Sequence, residues 1–358
     1  MKFLWESFMP GNGLLKMTAM WAIGGVLIFL AVRHKMEPSL LLPIGFGAIL
    51  VNLPFSGAVD QLLGSGETVP GILSWLYDVG IKAPEAFPLL LFIGIGAMID
   101  FGPLLSNPKL LFFGAAAQAG IFLTIILAVA LGFGLMDAAS IGIIGAADGP
   151  TSIFVANALG SNYTAQITVA AYSYMALVPI IQPIGIRMVT TKKERAIKME
   201  YSSKKISKTT RILFPIIVTI VAGLIAPLSI ALIGCLMFGN LLKECTVLDT
   251  LSDTASKVLA NLVTLFLGLA IASQMTADAF LNWRTILILA LGLAAFMFDT
   301  VCGVCFAKLI NLFSKKKINP MIGAAGISAF PMSARVVQKM GLKEDPENHL
   351  LMHAVGAN

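Results

Sequence analysis

The chain has 358 residues, of which 57% are hydrophobic and only 12% are charged, and its mean hydropathy is +0.87. A soluble domain of this size needs more polar surface, so the composition excludes a soluble protein and indicates an all-α polytopic membrane protein. The net charge of +6 comes from lysines and arginines in a few short loops, as the positive-inside rule requires. We therefore expect no nucleic-acid partner.

Long apolar segments fall into two groups, before and after a basic stretch. The first group lies at about 15–33, 38–55, 87–100, 109–135, 138–160 and 165–188. The second lies at about 211–226, 228–243, 258–273, 284–312, 319–336 and 347–358. We predict a first transmembrane repeat at 1–190, a basic cytoplasmic linker at 191–210 and a second repeat at 211–358. Several segments are shorter than the roughly 20 residues that a full span needs.

Three pairs of segments resemble each other and follow the same order in both halves, which indicates an internal duplication. The pairs are 38–52 with 227–240, 94–107 with 268–282, and 144–147 with 322–325. Each resemblance is weak alone, and the shared order carries the prediction.

The basic loops decide how the two halves are oriented. They all reach the cytoplasm only if the segment around Asp148 and the segment 319–336 are re-entrant hairpins that enter from opposite faces. The sequence therefore predicts the inverted-repeat architecture of transporters, in which broken helices meet near the membrane midplane. We expect Gly149–Pro150 and Phe330–Pro331 to break the two helices.

Asp148 is the most polar residue of the first hairpin. An acid within hydrocarbon is costly and typically marks an ion or proton site. Together with Thr151, Ser152 and unwound carbonyl groups, it offers the oxygen ligands that a hard cation such as Na⁺ prefers. Burial favours the protonated acid and a bound cation favours the ionised one, so the two could exchange at this side chain. The structural alternative is that Asp148 caps a helix.

The remaining polar residues have structural interpretations that the residues alone leave open. Asn319 could cap a helix, and Ser328 could bond its own turn. Arg335 could snorkel to the interface or present a cation to an anionic substrate. A tyrosine in Ala171–Tyr174 could simply hydrogen-bond a neighbour. Asp299 could be a second acidic site, but its predicted helix contains no break.

Three segments together resemble a known family. They are Gly145–Thr151 with Ile153-Phe154, the Ala171–Tyr174 helix with its Pro-Ile-Ile-Gln-Pro continuation, and Asn319-Pro320 through Arg335. They resemble the beta subunit of the Na⁺-pumping, biotin-dependent decarboxylases of oxaloacetate, methylmalonyl-CoA, glutaconyl-CoA and malonate. The resemblance covers nearly the whole chain.

This resemblance implies a subunit that decarboxylates carboxybiotin and moves Na⁺ outward, with consumption of a proton. The carboxybiotin would arrive on a partner biotin carrier protein and would not be bound covalently here. The further partners implied are a carboxyltransferase alpha subunit and a small gamma or delta membrane subunit, in an oligomeric complex of a prokaryotic inner membrane. The acyl substrate would be selected on another chain.

The resemblance also implies roles for individual residues. It gives Asp148 the role of the Na⁺-binding and proton-accepting acid, to which we add Thr151 as an oxygen ligand. It gives Tyr174 a role in proton transfer and Arg335 a place beside the carboxybiotin. The catalytic residues are then Asp148, Tyr174 and Arg335, and the Na⁺ ligands are Asp148, Thr151, Asn319 and Ser328.

The same sequence features leave one alternative function open. The alternative function is a sodium-coupled secondary carboxylate transporter, in which Arg335 would hold the organic anion.

The segment 350–358 begins what resembles a last span but stops after about two helical turns, too few to cross a bilayer. We therefore expect the second repeat to be truncated at the C-terminus.

Overall fold

The computed structural model of the protein describes residues 13–35, 38–54, 56–62, 68–82, 86–199, 206–314 and 316–358. Within these ranges the backbone is mostly helical, and strands β1 (Gln61–Leu62) and β2 (Thr68–Val69) form one short antiparallel hairpin. The predicted all-α class is confirmed. Six helical stretches are long and apolar enough to cross a membrane, and two bent pairs of helices raise this number to eight. The protein is a multi-pass membrane protein.

The first half contains ten helices in the described residues. Their bounds are α1 (Gly13–His34), α2 (Pro38–Val51), α3 (Ile72–Tyr77), α4 (Ala86–Met98), α5 (Gly102–Ser106), α6 (Leu111–Ala117), α7 (Ala119–Ala130), α8 (Leu135–Gly142), α9 (Gly149–Ala158) and α10 (Thr164–Val189). Helix α10 bends by 70° between 166–175 and 177–189.

The linker and the second half contain the other helices of the described residues. Their bounds are α11 (Lys192–Arg195), α12 (Lys208–Ile225), α13 (Ile230–Glu244), α14 (Asp249–Asp253), α15 (Ala260–Ala272), α16 (Ala277–Phe280), α17 (Trp283–Phe313), α18 (Met321–Ala324), α19 (Met332–Glu344) and α20 (Leu351–Ala357). Wider turns of π-helix at Asp78–Lys82 and Thr254–Leu259 follow α3 and precede α15.

The outer helices expose apolar side chains, as lipid contact requires. In α12 only 6% of the apolar window is buried, and Leu224 and Ile225 are 79% and 78% exposed. A surface of this kind would aggregate in water. Its natural solvent is the hydrocarbon of a bilayer.

The first hairpin is a helix broken at Ala147 and Asp148. A 3₁₀ turn at Ile143–Ala146 extends α8, Ala147 takes the left-handed conformation with φ 52°, and Asp148 is extended. Pro150 lies in the first turn of α9, where a missing N–H group costs no helical hydrogen bond. The predicted break is therefore confirmed, but Gly149–Pro150 was the wrong position: the break precedes that pair, which opens the next helix.

The second hairpin is broken over a longer stretch. Helix α18 ends at Ala324, residues 325–331 are not helical, and α19 begins at Met332. The predicted Phe330–Pro331 pair closes this break instead of forming all of it. Gly303 of α17 and Gly323 of α18 lie in direct backbone contact, which fixes the hairpin on the longest helix of the protein.

The two hairpins meet through their breaks. The backbone N–H of Ser328 donates to the carbonyl oxygen of Ala146 at 3.0 Å. From α10, the buried amide of Gln182 donates to the Ala324 carbonyl oxygen at 2.8 Å and to Ser333 Oγ at 2.6 Å. The Ser328–Ala146 bond therefore joins the two breaks, and the Gln182 side chain of α10 connects the two helices of the second hairpin.

Helices outside the hairpins pack reciprocally between the two halves. After α2, the Asn52 side chain donates to the Met275 carbonyl oxygen at 2.7 Å, just beyond α15. In α13, the Asn240 side chain donates to the Ile99 carbonyl oxygen at 3.2 Å, just beyond α4. Both asparagines come from the first pair of matched segments. This exchange of equivalent contacts supports the predicted duplication, whereas its inversion across the membrane stays a prediction.

Basic residues from distant parts of the chain line two cavities. Lys35, Arg187 and Lys339 line a common groove, and Lys317 lines another cavity together with Glu194 of the linker. Lys35, Arg187 and Lys339 therefore converge from both halves of the chain, whereas the cytoplasmic position of the basic loops stays a prediction.

Candidate functional site

Asp148 occupies the first break and performs two structural roles at once. It is the N-cap of α9: its Oδ1 accepts from the Thr151 backbone N–H at 3.4 Å and its Oδ2 from the Thr151 hydroxyl at 2.5 Å. The capping alternative raised by the sequence is thus observed. The same carboxylate also lines a cavity of about 440 Å³, so capping does not remove it from contact with a small ion.

The cavity lies between the two hairpins. The second hairpin contributes Ser328, Phe330, Pro331 and Arg335 to its wall. Ser328 and Arg335 have exposed side chains. The backbone N–H of Ser328 also donates the hydrogen bond to Ala146 that joins the two hairpin breaks. The structure therefore brings together Asp148, Ser328 and Arg335 of the residues singled out from the sequence, with Thr151 bonded to the carboxylate.

Other polar residues of the cavity were missed by the sequence reading. Asn261 and Thr264 project from α15, Ser256 from the turn before it, and Asn358 from beyond α20. Asn261 and Thr264 are three residues apart and share one helical face. That spacing of two polar side chains in an otherwise apolar helix was the available signal. The spacing does not indicate which helix this face contacts.

Tyr172, rather than Tyr174, lines the cavity. Its ring packs against Gly149 so closely that a Cβ at that position would lie 2.4 Å from a ring atom. Its hydroxyl is buried and has no hydrogen-bond partner among the described residues. The Tyr174 hydroxyl instead donates to the Leu289 carbonyl oxygen of α17 at 2.5 Å. Residues two apart in a helix do not share a face, so the two tyrosines serve different surroundings.

Asn319 lies outside the cavity wall in this conformation. Its side-chain amide donates to the carbonyl oxygens of Arg195 and Ile197 at 2.8 and 2.9 Å, and its Oδ1 accepts from the Met321 N–H at 3.1 Å. The two amide bonds attach the start of α18 to the basic linker, and the bond from Met321 is local to the start of that helix. The role of Asn319 as a Na⁺ ligand stays a prediction, and the observed contacts are those of a structural side chain.

The Asp299 side chain of α17 is fully buried and contacts the first hairpin outside the Asp148 cavity. Its carboxylate contacts Gly120 in the first turn of α7 and Gly145 of the 3₁₀ turn before Asp148. Neither carboxylate oxygen has a hydrogen-bond partner of good geometry among the described residues. Asp299 does not line the Asp148 cavity. Its place at the start of α7 suits a negative charge, because a helix N-terminus is partially positive.

The chemistry of the cavity follows from its donors. Carboxylate, hydroxyl and amide oxygens from Asp148, Ser328 and Asn261 are ligands for a hard cation, and neither cysteine nor histidine is among the residues that line the cavity. Arg335 adds one fixed positive charge at the edge of the same space. The cavity can therefore accommodate a small cation near Asp148 and a carboxylate near Arg335.

Comparisons with known proteins identify the family of the chain. The family described as the Na⁺-transporting oxaloacetate decarboxylase beta subunit matches residues 16–358. The chain is 48% identical to the methylmalonyl-CoA decarboxylase subunit beta of Propionigenium modestum, over 95% of this chain and 89% of that protein. It is 47% identical to the glutaconyl-CoA decarboxylase subunit beta of Acidaminococcus fermentans, with 95% and 88% covered. It is 43% identical to the oxaloacetate decarboxylase beta chain 2 of Salmonella typhi, with 99% and 94% covered. The chain belongs to the family of Na⁺-transporting decarboxylase beta subunits.

Proposed function

We propose that this chain is the membrane subunit that couples decarboxylation of carboxybiotin to outward transport of Na⁺. The observation that carries the proposal is the position of Asp148, in the break of one hairpin and at a cavity that Ser328 and Arg335 of the other hairpin also line. The carboxybiotin would be delivered by a biotin carrier protein and loaded by a carboxyltransferase alpha subunit. A small gamma or delta membrane subunit would complete the complex.

The reaction consumes one proton for each carboxyl group released. The bond between the carboxyl carbon and the ureido nitrogen of carboxybiotin breaks, CO₂ leaves, and the electron pair that stays on nitrogen takes up the proton. Arg335 would hold the carboxylate before this step. Asp148 would alternate between a Na⁺-bound and a protonated form, because the two cations compete for one carboxylate.

Coupling requires that each ligand favours one of two conformations through its own contacts. The two hairpin breaks are the elements suited to this change, since a single inter-hairpin backbone bond joins Ser328 to Ala146. Thr151 and Ser328 would bind Na⁺ together with Asp148; in support, the Thr151 hydroxyl bonds the Asp148 carboxylate and Ser328 lines the same cavity. Tyr174 as the residue that passes the proton, and Asn319 as a ligand, belong to the proposal as expectations from the family resemblance.

The test uses the complete decarboxylase complex reconstituted in vesicles. Asp148→Asn should abolish Na⁺-stimulated decarboxylation and Na⁺ uptake, because the amide keeps the size of the side chain but removes its charge. Asp278→Asn is the matched control, since the Asp278 side chain is 88% exposed and forms a surface ion pair with Lys16. Normal pumping by the Asp148 variant would overturn the site. Pumping by the wild type without any biotinylated partner would favour the alternative of a sodium-coupled secondary carboxylate transporter.

A further inference from the structure

A second cavity of about 440 Å³ lies on the face that carries the basic loops. Five of its lining residues are basic and none is acidic: Lys35, Arg187, Arg335, Lys339 and Lys343. All five are exposed. The rest of the wall is apolar and comes from α10 and α19, including Pro179, Pro183 and Met340. We refer to these lining residues together as the basic groove.

Three elements that are distant in sequence build this groove. Arg335, Lys339 and Lys343 follow one another at intervals of four residues and so form a row along one face of α19. Lys35 comes directly after α1, and Arg187 lies in the last turn of α10. Positive charges on three such elements repel one another. Their convergence on one concave surface therefore calls for a negatively charged occupant.

The acidic residues of this face are already used by other basic side chains. Arg195 pairs with Glu344 at 2.7 Å, Lys198 pairs with Asp345 at 3.1 Å and with Glu347 at 2.7 Å, and Lys308 pairs with Glu194 at 3.0 Å. Within the described part of the chain, no carboxylate lies within ion-pair distance of any of the five groove residues. Unpaired charges of one sign in a concave site raise the local concentration of the opposite ion.

The basic groove is continuous with the Asp148 cavity at one place. Met332 and Arg335 line both of them. An anion that enters the groove therefore reaches Arg335 before it reaches Asp148. This arrangement separates two tasks: the outer charges can hold a surface, while Arg335 can hold a single carboxylate at the inner end.

We propose that the basic groove is the docking surface for an acidic face of the carrier domain that brings the carboxylated group to the pump. Lys35, Arg187, Lys339 and Lys343 bind carboxylates on the surface of that domain, and the apolar wall receives the ring and chain of its prosthetic group. A lipid headgroup bound in the basic groove would block the passage from the groove past Arg335 to the Asp148 cavity. A protein partner is therefore favoured over a lipid as the occupant of the groove. This inference rests on the proposed function and names the surface that the carrier uses.

The experiment measures decarboxylation by the pump subunit with its membrane partner in nanodiscs, at increasing concentrations of separately purified, carboxylated carrier domain. In the double variant Lys339→Glu/Lys343→Glu we expect KM for the carrier to rise at least about tenfold with kcat within about twofold, because rim charges act mainly on association. Lys193→Glu is the matched control, being an exposed lysine of α11 outside the groove. For the wild type, KM should rise with salt, and less so for the double variant.

The possible outcomes distinguish a failure of the proposed function from a failure of the docking surface alone. If the wild type shows no carrier-dependent, Na⁺-stimulated decarboxylation, the proposed function fails, and the docking surface fails with it. If the wild type is active but the double variant and Lys193→Glu have the same KM, only the docking surface is refuted. An unchanged KM together with weaker binding of the double variant to vesicles of anionic lipid would identify a lipid site instead. The neutral variant Lys339→Gln/Lys343→Gln should show an intermediate KM, which excludes misfolding as the cause.

Discussion

The backbone contact between Gly303 and Gly323 should be essential to the position of the second hairpin. A Cβ added at Gly303 would lie 2.1 Å from the carbonyl oxygen of Gly323 and 2.8 Å from its carbonyl carbon. Both atoms belong to the backbone, so no rotamer change relieves the overlap. Ordinary contact needs more than an ångström of additional separation, which moves α18 away from α17. Gly303→Ala therefore tests whether the hairpin must stay where it is.

The expected size of this effect follows from overpacking. Inserting a methyl group into a close-packed site costs about 1–3 kcal/mol, and an obstacle made of backbone places the cost near the upper value. Displacing the hairpin by about 1 Å also displaces Ser328 relative to Ala146, whose bond is 3.0 Å long. Misplacement on that scale can lower a rate about 100-fold. We expect both a lower unfolding temperature in detergent and a loss of Na⁺-stimulated decarboxylation of that order.

Gly234→Ala is the matched control for this prediction. It introduces the same methyl group in α13, where nothing lies within 4 Å of the added atom. The alanine should be neutral or slightly stabilising there, because it lowers the entropy of the unfolded chain. Thermal unfolding and Na⁺ titration of decarboxylation measure both variants. The reasoning is refuted if Gly303→Ala matches Gly234→Ala in stability and in Na⁺ activation.

Two further predictions concern the cavity and the residues beside the basic linker. Tyr172→Phe should stabilise the protein by about 1 kcal/mol, because it removes a buried hydroxyl that has no partner among the described residues. Tyr174→Phe should destabilise it by about as much, because it removes the hydrogen bond that the Tyr174 hydroxyl donates to the Leu289 carbonyl oxygen. Thermal unfolding would contradict this if both shifts had the same sign. Beside the basic linker, the Glu347 backbone N–H and the Lys198 ammonium lower the pKa of Asp345. The ionised Asp345 carboxylate then stabilises the folded protein at pH values above its ordinary pKa of about 3.9. This stabilisation is lost as the pH falls through the lowered pKa of the folded state. Wild type and Asp345→Asn should differ in unfolding temperature at pH 7 and converge in acid; a constant difference down to pH 2 would disprove it.

Much of the fold follows from local features of the sequence. Apolar segments near the length of a bilayer determine a membrane protein, whatever their partners are. An acid, several small residues and a proline in one apolar segment predicted the first hairpin, because each of them disfavours an uninterrupted helix in lipid. The exact break was not predictable. It depends on Ala147 in the left-handed conformation, which alanine rarely adopts unless surrounding structure imposes it.

The composition of the site was decided by tertiary structure. Sequence motifs selected Asp148, Ser328 and Arg335, and the structure places them around one cavity. They could not show that Asn319 bonds to the basic linker, nor that Tyr172 faces the cavity while Tyr174 bonds to α17. A helical period states which residues share a face, but it does not state which helix that face meets. That choice depends on the packing of segments more than a hundred residues apart.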